Sequence, residues 1–118
     1  MEQQKVEGAL NYDGGKPRWD LLPYDALEEV VKVYTMGAGK YAPRNWEAGM
    51  SYSRAFGSLM RHITAFWNGE DLDQESGYHH LGHAVFRCLQ LIAFTQRGVG
   101  TDDRPIGDLK PSETVEVE

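Results

Sequence analysis

The chain has 118 residues, a formal net charge of −6, 41% apolar side chains and a single cysteine. That length fits one domain with a modest core and is too short for a cofactor domain beside a catalytic one, so an active site is expected to use a homo-oligomer's subunit interface. The acidic balance argues against non-specific duplex binding, which needs an excess of Lys and Arg, but leaves room for a small anion in a local basic pocket.

No apolar run is long enough to span a bilayer and the start carries no export pattern, which makes the cytoplasm the default expectation and no membrane partner is expected. Residues 1–9 are polar without a sustained period, and a flexible end is predicted there. The turn Asn11 to Arg18 is glycine-rich and holds two cations, Lys16 and Arg18, but lacks a preceding strand and a Gly-Lys-Ser/Thr ending. It is not a P-loop.

Three helices follow from apolar periodicity. The first runs from about Pro23 to Met36, with Leu27, Val30, Val31 and Tyr34 on one face, and Gly37 and Gly39 are expected to end it. Glu28 borders that face and Glu29 points away; the plain alternative for Glu28 is a surface pair with Lys32. The loop beyond carries Lys40, Tyr41, Arg44 and Trp46, a set of cations and rings that can hold phosphate and stack a base, although Trp46 equally suits a core plug.

The second helix begins near Ser51, whose hydroxyl can cap it, and places Tyr52, Phe56, Leu59, Met60, Ile63 and Trp67 on one stripe up to Asn68-Gly69. A third runs from about Ser76 or Tyr78 to Gln96, with Leu81, Val85, Cys88, Leu89 and Ile92 inward and Gly98 closing it. Cys88 is therefore expected as a reduced core residue. Residues 99–118 read as a flexible tail, acidic at Glu113, Glu116 and Glu118, with a short strand left open at Val115 and Val117. The expected fold is all-α: a compact bundle of three main helices over residues 10–98.

The segment from Asp73 to His83 gathers two carboxylates and three imidazoles, a mixture that packing does not call for. On a helix His80 and His83, or His79 and His83, can aim two nitrogens at one point, with Asp73 and Glu75 just before them. His62 lies at the matching border of the second helix. Arg87, one turn beyond His83, can neutralise a bound phosphate. The competing explanation is acids complementing a helix start beside solvated histidines.

Tyr12 to Pro23, Gly37-Ala38-Gly39-Lys40-Tyr41 with Asn45-Trp46, Arg61-His62, and Asp73 to Gly77 with His80-Leu81-Gly82-His83-Ala84 resemble the phage and bacterial dATP/dGTP diphosphohydrolase N-terminal domain family. The resemblance covers roughly residues 10 to 97. It implies a nucleotide-metabolism protein, in host cytoplasm if phage-encoded, that cleaves a purine deoxynucleoside triphosphate to monophosphate and pyrophosphate with a divalent ion. A wider similarity, to MazG-type all-α pyrophosphohydrolases, departs at the ligands: His80-x-x-His83 stands where Glu-x-x-Asp is usual, and Val31 follows Glu28 at i+3. Mn²⁺ or Mg²⁺ heads the expectation, and the imidazoles also admit Zn²⁺ or Co²⁺.

The expected ligands are His62, Asp73, His80 and His83, with Glu75 or Glu28 as ligand or water-activating base. Lys16, Arg18, Lys40, Arg44 and Arg87 are the expected phosphate contacts, and Tyr41 or Trp46 the base platform. Two alternatives stand beside this reading: a nucleotide-sequestering protein without turnover, and a structural helical module whose histidines only make hydrogen bonds.

Overall fold

The computed structural model describes residues 8–105 and the backbone of 4–6. Three helices, α1 (Tyr24–Lys40), α2 (Tyr52–Trp67) and α3 (His80–Arg97), make the fold all-α. They are preceded by an antiparallel hairpin of β1 (Gln4–Val6) and β2 (Ala9–Asn11), closed by Gly8 at φ +79. The polarity of 1–9 hides this hairpin, because three-residue strands are too short for alternation to register. No helix among the described residues is long and apolar enough to cross a membrane.

α1 runs through Gly37 and Gly39, which were expected to end it. Neither takes a positive φ, and the Tyr41 N–H closes the last turn on the Gly37 carbonyl at 2.9 Å. α2 starts as expected after Ser51, but the Ser51 hydroxyl makes no cap. Asp103 does this instead, accepting from the Ser53 N–H at 2.9 Å, so one exposed donor at the helix start is satisfied from 50 residues away. Thr101 pairs with the same region, donating to the Met50 carbonyl and accepting from the Tyr52 N–H. Residues 99–103 are thus pinned to α2. The expected acidic tail and possible strand at 106–118 lie outside the described residues.

α3 begins at His80, later than Ser76 or Tyr78, because a bridge between Leu72 and His79 and a positive φ at Gly77 hold residues 72–79 in a tight hairpin. It ends on Gly98 in the left-handed region, as predicted. α3 is the central helix, packed on both α1 and α2. Its crossing with α1 is close at Gly82, where an added Cβ would stand 2.7 Å from the Glu29 carbonyl oxygen. That crossing also corrects the first helix: Glu29, half-buried with its carbonyl against α3, pairs with Lys32 at 3.0 Å, while Glu28 is exposed.

The core comprises Val30, Val33, Ala55, Leu59, Ala84, Ala93 and Phe94. Of the stripes expected to face inward on α2 and α3, Leu59 is buried and Tyr52 and Leu81 are half-buried, but the rest are not. Phe56, Met60, Ile63 and Trp67 of α2 are exposed, Trp67 at 83%, and so are Val85, Cys88, Leu89 and Ile92 of α3. The inward face of α3 is instead small and polar, with His80, Gly82, Ala84, Gln90 and Ala93 beside Phe94. Periodicity finds the face that avoids water, but a helix pair that meets through small residues and hydrogen bonds leaves that face free for something else.

Candidate functional site

The link between α2 and α3 builds the site. Asp73 donates its N–H to the Tyr78 carbonyl at 2.8 Å and accepts the Gly77 N–H on its own carbonyl. Its carboxylate takes the Ser76 N–H at 3.1 Å. The His80 N–H then donates to the Asp71 carbonyl at 2.8 Å, which fixes His80 in the first turn of α3, facing His62 of α2. His79 is the N-cap, its Nδ1 accepting from the Leu81 N–H at 3.0 Å. That nitrogen is therefore engaged, and the pair His79 and His83 does not form a ligand set.

His62, Asp73 and His80 bring one ligand atom each to within 4.8 Å of the others. The two Nδ1 atoms of His62 and His80 are 2.9 Å apart, close to the ~3 Å between adjacent nitrogens on an octahedral ion with ~2.1 Å bonds. On its other side the buried His80 meets Glu70, with Nε2 2.8 Å from Oε1. A carboxylate only accepts, so Nε2 carries the proton and a neutral His80 presents its Nδ1 lone pair to the cluster. A carboxylate behind a ligating histidine is the usual way such a ring is oriented. The donor set of two imidazoles and one carboxylate fits a divalent transition ion.

His83 stands beside this set. Its ring stacks on His62 at 4.4 Å and 6°. Its Nε2 is 2.7 Å from the Ser76 hydroxyl and 3.7 Å from Asp73 Oδ2. To join the other three it must leave Ser76.

Burial, and then the neighbouring His83, push His62 down to about 4, and burial also lowers His83. Burial works against the Asp73 carboxylate, but hydrogen bonds from Ser76 outweigh it and hold the group below its ordinary value. His62 is thus neutral and ready to ligate at neutral pH. In chelator-treated protein the unfolded chain takes up a proton on this residue near pH 6.5, and the folded protein refuses it until about pH 4. Stability from this residue is therefore full above pH 6.5 and falls as the pH drops through that window. Discounted for partial exposure, the loss is on the order of 1–2 kcal/mol. The melting temperature plotted against pH between these limits is expected to be flatter for His62→Gln than for the native chain; superimposable profiles would contradict the assignment.

The cluster opens on a cleft of about 850 Å³ between α1, α2, α3 and the Lys40–Trp46 loop. His62, Asp73, Glu75 and His83 line one end, and Lys40, Tyr41, Arg44 and Trp46 the other, with Arg87 between. Lys16, Arg18 and Glu28 do not line it; Arg18 pairs with Asp20 at 2.8 Å. Arg44, at φ 64, pairs with Glu47 at 2.9 Å. Trp46 is half-buried against Tyr34, ring centroids 6.0 Å apart, with Arg97 over its face at 5.5 Å. Tyr41 is exposed, with the Lys40 ammonium 5.4 Å from its ring centroid.

Several contributors escaped the sequence reading. Glu70 lies outside the Asp73–His83 segment, and only its place in a hairpin link shows that it reaches His80. Gln90 is fully buried, accepting from Arg87 Nη1 at 2.8 Å and donating to the Trp46 carbonyl at 3.4 Å. Ser58 accepts from Arg87 Nε at 3.1 Å. The spacing of Arg87 and Gln90, three apart on one face, was the available signal.

The family model described as dATP/dGTP diphosphohydrolase, N-terminal, matches residues 6–104. A protein of Salmonella phage PMBT28 named dATP/dGTP diphosphohydrolase is 30% identical over 95 residues, 80% of this chain and 32% of that protein. The chain therefore spans about a third of the length of the curated relative it matches. No solved structure matches.

Proposed function

The chain belongs to the dATP/dGTP diphosphohydrolase N-terminal family, and on that premise we propose that it hydrolyses purine deoxynucleoside triphosphates to monophosphate and pyrophosphate. The observation that carries this reading is the junction of the His62–Asp73–His80 cluster with a cationic cleft. A divalent ion, Mn²⁺ foremost, would be held by those three residues and would offset phosphate charge and acidify water. His83, once released from Ser76, would be a fourth ligand. Arg87 and Lys40 bind phosphate oxygens, and Tyr41, with the Trp46 edge, takes the base. Glu75, exposed on the cleft wall, accepts the proton of the attacking water. The new bond joins water oxygen to the α-phosphorus, the bond to the bridging oxygen breaks, and pyrophosphate leaves with the electron pair. Incubating the protein with each dNTP and Mn²⁺ tests this. Monophosphate and pyrophosphate from dGTP and dATP are expected; nucleotide binding without products would favour the sequestering alternative.

We further propose that a second copy covers the exposed faces of α2 and α3. Phe56, Met60, Ile63 and Trp67, with Val85, Leu89 and Ile92, expose on the order of 600 Å² of apolar surface, at the limit of what monomers present. At about 100° per residue Val85, Leu89 and Ile92 lie opposite His83, Arg87 and Gln90, so pairing leaves the cleft open. None of the seven is charged, and two chains of net charge −6 approach with least repulsion through such a face. Light scattering after gel filtration is expected to give a dimer at micromolar concentration, and a monomer of unchanged helicity for Phe56→Glu with Leu89→Glu. A monomeric native chain would refute the pairing.

A further inference from the structure

Arg54 and Arg61 of α2 and Arg87 of α3 line a depression of about 340 Å³, together with Met50 and Ser58. Its walls hold three guanidinium groups and no carboxylate. The other arginines of the described residues each meet an acid: Arg18 with Asp20, Arg44 and Arg97 with Glu47, Arg104 with Asp102. Among the described residues Arg54 and Arg61 have no ion pair, and Arg87 donates only to Ser58, Gln90 and the Met50 sulfur. The arginines without an acid are thus the ones gathered in one place, in a chain whose overall charge is negative.

Local geometry brings them together. A long side chain on a helix leans toward the N-terminus, and Arg61 Nη1 lies 3.9 Å from where a Cβ on Gly57 would stand. Arg61 therefore folds back over a residue without a side chain, toward Arg54. Arg87 is half-buried, and burial first, then Arg61 and Arg54, lower its affinity for its proton. Like charges held this close in a chain of opposite net charge are what a bound anion relieves. The depression adjoins the cleft, sharing Met50, Arg54, Ser58 and Arg87 with it.

We propose that Arg54, Arg61 and Arg87 form the seat of the β- and γ-phosphates of a nucleoside triphosphate, and hence of pyrophosphate after cleavage. The proposal rests on the cleft being the nucleotide site. A guanidinium fork matches phosphate oxygens in pairs, and two adjoining phosphates offer enough oxygens to engage all three groups.

The test is calorimetry in the presence of a chelator, titrating inorganic pyrophosphate, orthophosphate, dGTP and dGMP into the native chain, Arg54→Gln, Arg61→Gln and the double variant. Arg54 and Arg61 are exposed, so the variants keep the fold, checked by circular dichroism. Pyrophosphate is expected to bind more tightly than orthophosphate, and each variant to weaken pyrophosphate and dGTP by roughly 10-fold to 100-fold, the range for losing a charge-assisted hydrogen bond. Affinity for dGMP, which lacks both outer phosphates, is expected to stay within about 3-fold. Unchanged pyrophosphate affinity in the double variant, or an equal loss for dGMP, would overturn the seat. Arginine-dependent pyrophosphate binding without dGTP turnover would leave the seat standing and remove the hydrolase reading. Turnover with pyrophosphate binding insensitive to both substitutions would do the reverse.

Discussion

Replacing His80 by alanine is expected to weaken Mn²⁺ and Zn²⁺ binding roughly 100-fold or more and to remove dGTP turnover with it, beyond the 10-fold to 100-fold that loss of a supporting group costs. His80 is buried, donates from Nε2 to Glu70 Oε1 at 2.8 Å and presents Nδ1 2.9 Å from that of His62. It is the one member of the cluster with both nitrogens committed within the site. Removing it also leaves polar groups unpaired, which costs about 1–3 kcal/mol of stability. Glu70→Gln separates the two effects, because it keeps the ring and the packing but removes the negative charge behind it. That variant is expected to fold normally and bind metal about 10-fold to 100-fold more weakly. Calorimetry with each ion reads both changes, and native affinity in a folded His80→Ala protein would remove the ligand assignment.

The second large effect is expected at Gly82. A side chain there meets the Glu29 carbonyl oxygen, whose distance from the ideal Cβ position is 2.7 Å, and the Val33 side chain at 3.5 Å. Backbone cannot rotate away as a side chain can, so α1 and α3 must separate. Overpacking of a core contact costs about 1–3 kcal/mol and sometimes more, and valine adds two branches to that clash. For a domain of this size each 1 kcal/mol lowers the melting temperature by roughly 4–8 °C. Gly82→Val is therefore expected to melt on the order of 10 °C or more below the native chain, or not to fold, with Gly82→Ala between them. Thermal denaturation followed by circular dichroism measures it. An unchanged melting temperature for the valine variant would mean that the α1–α3 contact is looser than described.

The three helices were legible because their periodicity is strong, and the Arg97-Gly98 stop was legible because a left-handed glycine closes the last turn. The histidines were legible because Arg61-His62 and the Asp73–His83 segment mix residue types that a core does not need. Three things were not legible, each for a reason outside local sequence. The cap on α2 comes from Asp103, on a segment returning from beyond α3. Glu70 reaches His80 only because the link folds back as a hairpin. Most of the apolar stripe on each helix faces outward, apart from residues such as Leu59, because helices that meet through Gly82, Ala84 and polar side chains do not use their most hydrophobic faces. Lys16 and Arg18, near the site in motif order, do not line the cleft, and Arg18 is held by Asp20 instead.

In the proposed reaction, water attacks the α-phosphorus of a purine dNTP in the cleft beside the His62–Asp73–His80 cluster. Hydrolysis of dGTP with Mn²⁺ in water enriched in heavy oxygen, followed by phosphorus NMR and mass spectrometry of the products, tests it most directly. Label on dGMP, unlabelled pyrophosphate in equal amount, and no reaction in excess chelator are expected. Release of dGDP with labelled orthophosphate, or of deoxyguanosine with triphosphate, would contradict it.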